Sequence, residues 1–252
     1  MDTRTHEMMK VCLLAGKIML KSGAETYRVE DTMIRIAEAY RFDKVHAFVT
    51  PTAIILSIEG SHSQIEETKF IRITKRSIDL HKVSLVNEVS RKVSESVLTL
   101  EEAGQELREV EKADFNFPIG WQIVAAAFVS GCFLIMFQGM WRDFIPAFIT
   151  GGIGYFIFIY FHRFVQVKFF SEVFASFIIG LIAVVMVRLG VGEEVDKIII
   201  GAVMPLVPGV LITNAVRDLM AGHLISGLSR GAEAFLTATA IGTGIAVVIT
   251  IF

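Results

Sequence analysis

Charge is scarce in residues 118–252, which hold 7 Lys+Arg and 7 Asp+Glu out of chain totals of 24 and 26. That scarcity excludes an ordinary solvated surface for this half and matches helices that each need about 20 mostly apolar residues to cross a bilayer. Cysteine is scarce as well. Cys12 and Cys132 lie far apart, which excludes a disulfide framework and any cysteine-based metal spacing. There is no excess of basic charge, and a net charge of −2 gives no electrostatic case for nucleic acid. The N-terminus MDTRTHEMMK has neither a long apolar run nor a small-residue cleavage site. No secretory signal peptide is expected, so the first domain is expected to stay in the cytoplasm.

Residues 1–117 hold 17 Lys+Arg and 19 Asp+Glu, the charge density of a soluble domain. Glycine moves the other way, with 4 before residue 118 and 16 after it; small residues let membrane helices approach closely. The expected fold is a membrane protein: an all-α transmembrane bundle of about five helices (118–252) preceded by an α+β cytoplasmic domain (1–117).

In the first part, apolar spacing predicts a helix over 7–21, and residues 25–41 read as a second helix after the Ser22-Gly23-Ala24-Glu25 punctuation. Ser22 and Glu25 have the form of a capping box for the second. Residues 44–59, interrupted at Pro51, read as two strands, and the alternation in 67–74 reads as a third. Helices are predicted over 79–96 and 99–113. The apolar spans fall at about 119–139, 144–162, 169–189, 197–215 and 232–252, with a tight connection at Gly139–Asp143. With the first domain inside, Arg163, Lys168, Arg217 and Arg230 face the cytoplasm, and Arg142, Arg188 and Lys197 face outward. Trp121, Trp141 and Tyr160 lie near span ends, as an aromatic belt requires.

The fourth span contains MPLVPGVLITNAVRD at 204–218. Pro205 and Pro208 each remove a backbone donor and clash with the preceding turn, so an unbroken helix is not expected. Irregular backbone at membrane depth is tolerated where it lines a cavity, and broken helices recur at transporter binding sites. A half-helix starting after Pro208-Gly209 points free N–H groups at the break, which suits a carboxylate; the competing reading is a kinked structural helix. Thr213 and Asn214 are candidates to bond a polar solute or a neighbouring helix. Arg217 and Asp218 form either an attractive inner mouth for an anion or an interfacial ion pair. Glu172 and Glu233 read as proton-coupling carboxylates or as interfacial acids. Ala127/Gly131, Ala238/Gly242 and Ala240/Gly244 have small-xxx-small spacing.

The first domain gathers Ser22, Glu25, Tyr27, Arg28, Glu30 and Asp31 in one polar cluster, with His46, His62 and His81 further on. A serine–histidine–acid set can be drawn from these, but no G-x-S-x-G elbow, H-E-x-x-H or phosphate loop is present. No catalytic residue, metal or cofactor is assigned. A membrane-anchored hydrolase or a regulatory sensor remains the alternative to transport.

SGAETYRVEDTM at 22–33, FVTPTAIILSIEG at 48–60 and PLVPGVLITNAVRDLMAGHLISGLSRGAEAFLTA at 205–238 resemble the threonine/serine exporter (ThrE) family, in its N-terminal, YjjP-like part. The resemblance implies a secondary exporter of the bacterial plasma membrane acting on threonine and serine or on dicarboxylates such as succinate. Some members carry about ten spans. This chain, with five, resembles the larger subunit of the split form, which works with a smaller multi-span membrane subunit.

Overall fold

The computed structural model describes residues 3–42, 44–59, 66–165, 167 and 169–252. His62 and Lys168, singled out above, lie outside the described residues. Two compact units are present: one of residues 1–116 and 212–231, the other of 117–211 and 232–252.

The first unit opens with α1 (Thr3–Lys21) and α2 (Thr26–Ala39). Its antiparallel sheet runs β1 (Val45–Thr50), β2 (Ala53–Glu59) and β3 (Glu66–Arg72), in that order. Pro51-Thr52 turns β1 into β2, with Thr50 opposite Ala53. α3 (Leu80–Ser94) and α4 (Leu100–Lys112) complete the N-terminal elements. Alternation turns Val49, Ile54, Leu56 and Ile58 inward, where they meet Met8, Cys12, Met19, Met33, Ile36 and Leu107, all essentially inaccessible. α4 starts on a true capping box: Thr99 accepts from the Glu102 amide while the Glu102 carboxylate accepts from the Thr99 amide.

The capping box expected at Ser22 and Glu25 does not form. Glu25 is itself the residue that begins α2, and its side chain makes no cap bond. Ser22 belongs to the turn that ends α1, its amide donating to Ile18 O. The physical reason is position: α2 starts at Thr26, which leaves Glu25 at its N-cap and not at the third helical residue, where a capping box needs it.

Burial pushes the Cys12 thiol up to about 12, against a smaller opposing pull from its own backbone amide. Since the thiolate is the reactive form, iodoacetamide at pH 8 is expected to leave Cys12 unmodified in the folded chain and to label it fully after denaturation. Peptide mass spectrometry checks this; comparable labelling in both states would refute the buried placement.

In the second unit, α5 (Ile119–Met136), α6 (Phe144–Phe164) and α7 (Phe170–Arg188) are continuous helices. α8 (Val195–Val203) passes into a 3₁₀ turn at Met204–Leu206. α9 (Gly209–Met220) and α10 (Leu224–Ile251) follow; each begins in one unit and ends in the other. Among the described residues four helices are long and apolar enough to cross a membrane, or five if the bent pair counts as one span. α10 begins eight residues before the apolar run starting at 232 because Ser226 and Arg230 are buried rather than solvated. Asp143, inaccessible at the start of α6, accepts from the amides of Glu193 (2.7 Å) and Glu194 (3.2 Å) and so fastens the loop before α8.

Candidate functional site

α9 carries Asn214 and Asp218 one turn apart on its buried face, with Arg217 beside them. α10 carries Ser226 and Arg230 at the same one-turn spacing, both 2 % exposed. Spacing of four residues puts each pair on one helical face. In the first unit these faces meet the turn between α1 and α2.

That turn is built by Gly23 at φ +86°, a conformation costly for any residue with a Cβ. Its carbonyl accepts from Asn214 Nδ2 at 2.8 Å. The next carbonyl, Ala24 O, accepts from Arg230 Nη2 at 2.7 Å. Asp218, fully inaccessible, accepts from the Thr26 amide at 2.8 Å and from Thr26 Oγ1 at 3.0 Å. Arg230 Nε stands 3.3 Å from Asp218 Oδ2, an ion pair out of water. Burying two charges is tolerated here because hydrogen bonds occupy both partners.

Glu25 supplies the next layer. One carboxylate oxygen pairs with Arg217 Nη1 and the other takes Arg28 Nη1 at 3.1 Å. Burial pushes this carboxyl up, but its own backbone amide, Arg217 and Arg28 together outweigh burial and hold it below the usual glutamate value. Glu30 goes the other way. Burial lifts it, the Val49 amide and His223 oppose the lift, and Asp218 adds to it. Glu30 Oε1 accepts from the Val49 amide at 2.8 Å, and Oε2 lies 3.7 Å from His223 Nε2. Ser226 Oγ donates to Val49 O at 3.3 Å.

The structure therefore unites two groups that sequence reading kept separate, joining Glu25, Arg28 and Glu30 to Asn214, Arg217 and Asp218. Arg217 and Asp218 do not pair with each other. Tyr27 is exposed, and Asp31 pairs with Arg35 at 2.7 Å on the open face of α2. Ser22 is buried, and its carbonyl accepts from the Asp79 amide. His81 stacks edge-on against Phe115. Among the described residues no group of His, Cys, Asp and Glu is suited to a metal. Reading residue by residue missed Thr26, His223, Ser226 and the paired role of Arg230. The available signal was polarity at i and i+4 in the otherwise apolar stretch 223–231.

Pro205, Pro208 and Gly209 lie at the break. The last turn of α8 tightens to 3₁₀, Val207 is extended, and the Gly209 amide donates back to Val207 O at 2.8 Å. The helical pieces on either side are bent by 62°. A cavity of about 580 Å³ in the second unit touches Pro205 and is lined otherwise by Phe117, Trp121, Gln122, Ala125, Ala126, Val129 and Tyr155. The Gln122 amide is turned onto Phe117 O at 2.7 Å. Among the described residues no charged side chain lines this cavity, so they suit it to apolar matter and offer a carboxylate no counter-charge. Thr213 is exposed on α9. Glu172, in the first turn of α7, places one carboxylate oxygen in the interior without a hydrogen-bond partner, as Ser171 does its hydroxyl.

No solved structure matches the chain. A probable succinate transporter subunit YjjP of Klebsiella aerogenes is 24 % identical over 247 residues, covering 96 % of this chain and 93 % of that protein. The protein of the same description in Escherichia coli is 25 % identical, covering 96 % and 94 %. A probable threonine/serine exporter of Mycobacterium tuberculosis is 23 % identical over 240 residues, covering 94 % of this chain but 45 % of its own length. A family model described as a putative threonine/serine exporter matches residues 10–252. With apolar helices enough for four or five crossings, the chain is a multi-pass membrane transporter of the threonine/serine exporter family.

Proposed function

We propose that this chain is one half of a secondary exporter that moves small carboxylate-bearing solutes, threonine and serine or a dicarboxylate such as succinate, out across the bacterial plasma membrane. A separate, smaller multi-span subunit completes the pathway, and the N-terminal domain, residues 1–117, lies in the cytoplasm. One observation carries the reading: the chain spans nearly all of two relatives named as transporter subunits and under half of one named as a whole exporter. Pro205, Pro208, Gly209 and Thr213 are assigned to the pathway at the broken helix, where irregular backbone requires a protein-lined cavity. Asn214, Arg217 and Asp218, further along α9, are assigned to the same pathway.

The test is efflux of labelled threonine and succinate from cells expressing the chain with and without a candidate small subunit. Efflux of at least one solute is expected with both chains present. Equal retention with and without them sinks the reading. Pro208→Ala is expected to lower efflux several-fold at unchanged membrane abundance, because it lets the helix continue through the break. Asn214→Ala removes the bond to Gly23 O, worth about 0.5–1.5 kcal/mol net, and is expected to lower efflux less. Wild-type rates in both variants would remove these residues from the pathway.

A further inference from the structure

We propose that Arg217 and Arg28 form the site where a carboxylate-bearing solute first binds this chain, and that Glu25 fills that site in the closed state as an internal competitor. The inference rests on the export reading and names the group recognised by it.

Three observations carry it. First, the polar side chains of α9 divide into fixed and free-facing ones. Asn214 and Asp218 are buried and committed to Gly23 O and to the amide and hydroxyl of Thr26. The Arg217 side chain is 55 % exposed, and its partner is a carboxylate whose own side chain is 6 % exposed. Second, Arg28 approaches the same carboxylate from α2 with its side chain 37 % exposed. Each Glu25 oxygen thus has its own guanidinium, the charge-assisted arrangement by which arginines recognise carboxylates. The apolar cavity at the break offers no such partner.

Third, the residues on either side of Glu25 are held by bonds that do not involve its carboxylate. Ala24 O is fixed by Arg230 and the Thr26 amide by Asp218. Rotation of the Glu25 side chain frees both guanidiniums without disturbing those anchors. The guanidinium side of each pair is the accessible one, so a solute carboxylate can reach both arginines and compete with Glu25 for them. A solute carboxylate that displaces Glu25 takes over the pairing that ties Arg217 to the start of α2, while the bonds of Asn214, Asp218 and Arg230 to the turn persist.

The test is arginine labelling of the purified full-length chain. Phenylglyoxal modification of Arg217 is followed by peptide mass spectrometry, in wild type and Glu25→Gln, with succinate, threonine or dimethyl succinate present. Glu25→Gln is expected to raise the labelling rate several-fold. Succinate, threonine or both are expected to slow it, at several-fold lower concentration in the variant than in wild type. The diester, which has no carboxylate, is expected to leave it unchanged. Protection by one acid and not the other identifies the cargo class. No protection by either acid, or equal protection by the diester, overturns the inference. Persistent resistance of Cys12 to alkylation confirms that the variant is folded; if it is not, protection of wild-type Arg217 decides alone, and Arg28→Gln is expected to weaken it. Uptake of the same solutes into inside-out vesicles holding both subunits separates the two readings. Protection without transport sinks export and keeps the site, whereas transport without protection does the reverse.

Discussion

Replacing Asp218 with alanine is expected to destabilise the first unit by about 3–5 kcal/mol, the usual consequence of removing one partner of a buried ion pair. Asp218 is completely inaccessible, and the Arg230 side chain is 3 % exposed. The substitution takes the carboxylate from a guanidinium that is out of water and removes the acceptor of the Thr26 amide and hydroxyl. In detergent the apparent Tm should fall by roughly 6 °C or more, and hydrogen exchange should rise over α2, whose first turn the bond to Thr26 holds. Asp218→Asn keeps the shape and loses the charge, so an intermediate fall is expected. Joining Asp218→Leu with Arg230→Met removes both charges and should regain only part of the loss, because the unpaired guanidinium is gone while the Thr26 amide and hydroxyl still lack their acceptor. An alanine variant within about 0.5 kcal/mol of wild type, the usual range for a neutral surface change, would show that this pair anchors nothing.

The same pair shows where sequence reading succeeded and where it stopped. Helices, strands and the break were legible because each rests on local rules. Helical spacing marked α1, β-branched residues interrupted at Pro51 marked β1 and β2, alternation marked β3, and Pro205 with Pro208 interrupted α8 and α9. The polar residues of 214–218 were also legible as unusual in an apolar stretch. Their partners were not. Asp218 bonds Thr26 across 192 positions in sequence, and Arg230 reaches Ala24 across 206. No periodicity carries that information. Local rules misled at Ser22 and Glu25 as well: a three-residue spacing has capping-box form, but α2 starts at Thr26 and leaves Glu25 at its N-cap. They also started the last span at 232, eight residues after α10 begins, since Arg230 reads as a cytoplasm-facing charge when its partners are unknown.

Small residues in the second unit carry the other large expected effect, and here spacing alone could not rank them. Ala238 and Gly242 share a spacing with Ala240 and Gly244, yet Ala238 is exposed and a Cβ at Gly242 would meet nothing within 4 Å. Gly244 instead lies against α7. A Cβ there would collide with Ser176 Oγ and with Val173 O, and would stand 2.9 Å from the Phe177 amide nitrogen. Gly151 on α6 is different in kind. Its added Cβ would collide with the Oγ and Cβ of Ser130, while the nearest other atom, Ala202 Cα, is 3.4 Å away. Both alanine substitutions overpack the bundle, and overpacking costs about 1–3 kcal/mol. Gly244→Ala belongs at the upper end because backbone must move. The pairs should part on rescue. Ser130→Gly combined with Gly151→Ala removes the colliding atoms and should recover most of the loss, less up to about 1 kcal/mol for a glycine in a helix. Ser176→Gly cannot move Val173 O, so it should leave Gly244→Ala nearly as unstable as before. Unfolding midpoints of the two double-mutant cycles in mixed micelles measure this. Equal rescue in both cycles would mean that α7 and α10 do not meet backbone to backbone at Gly244.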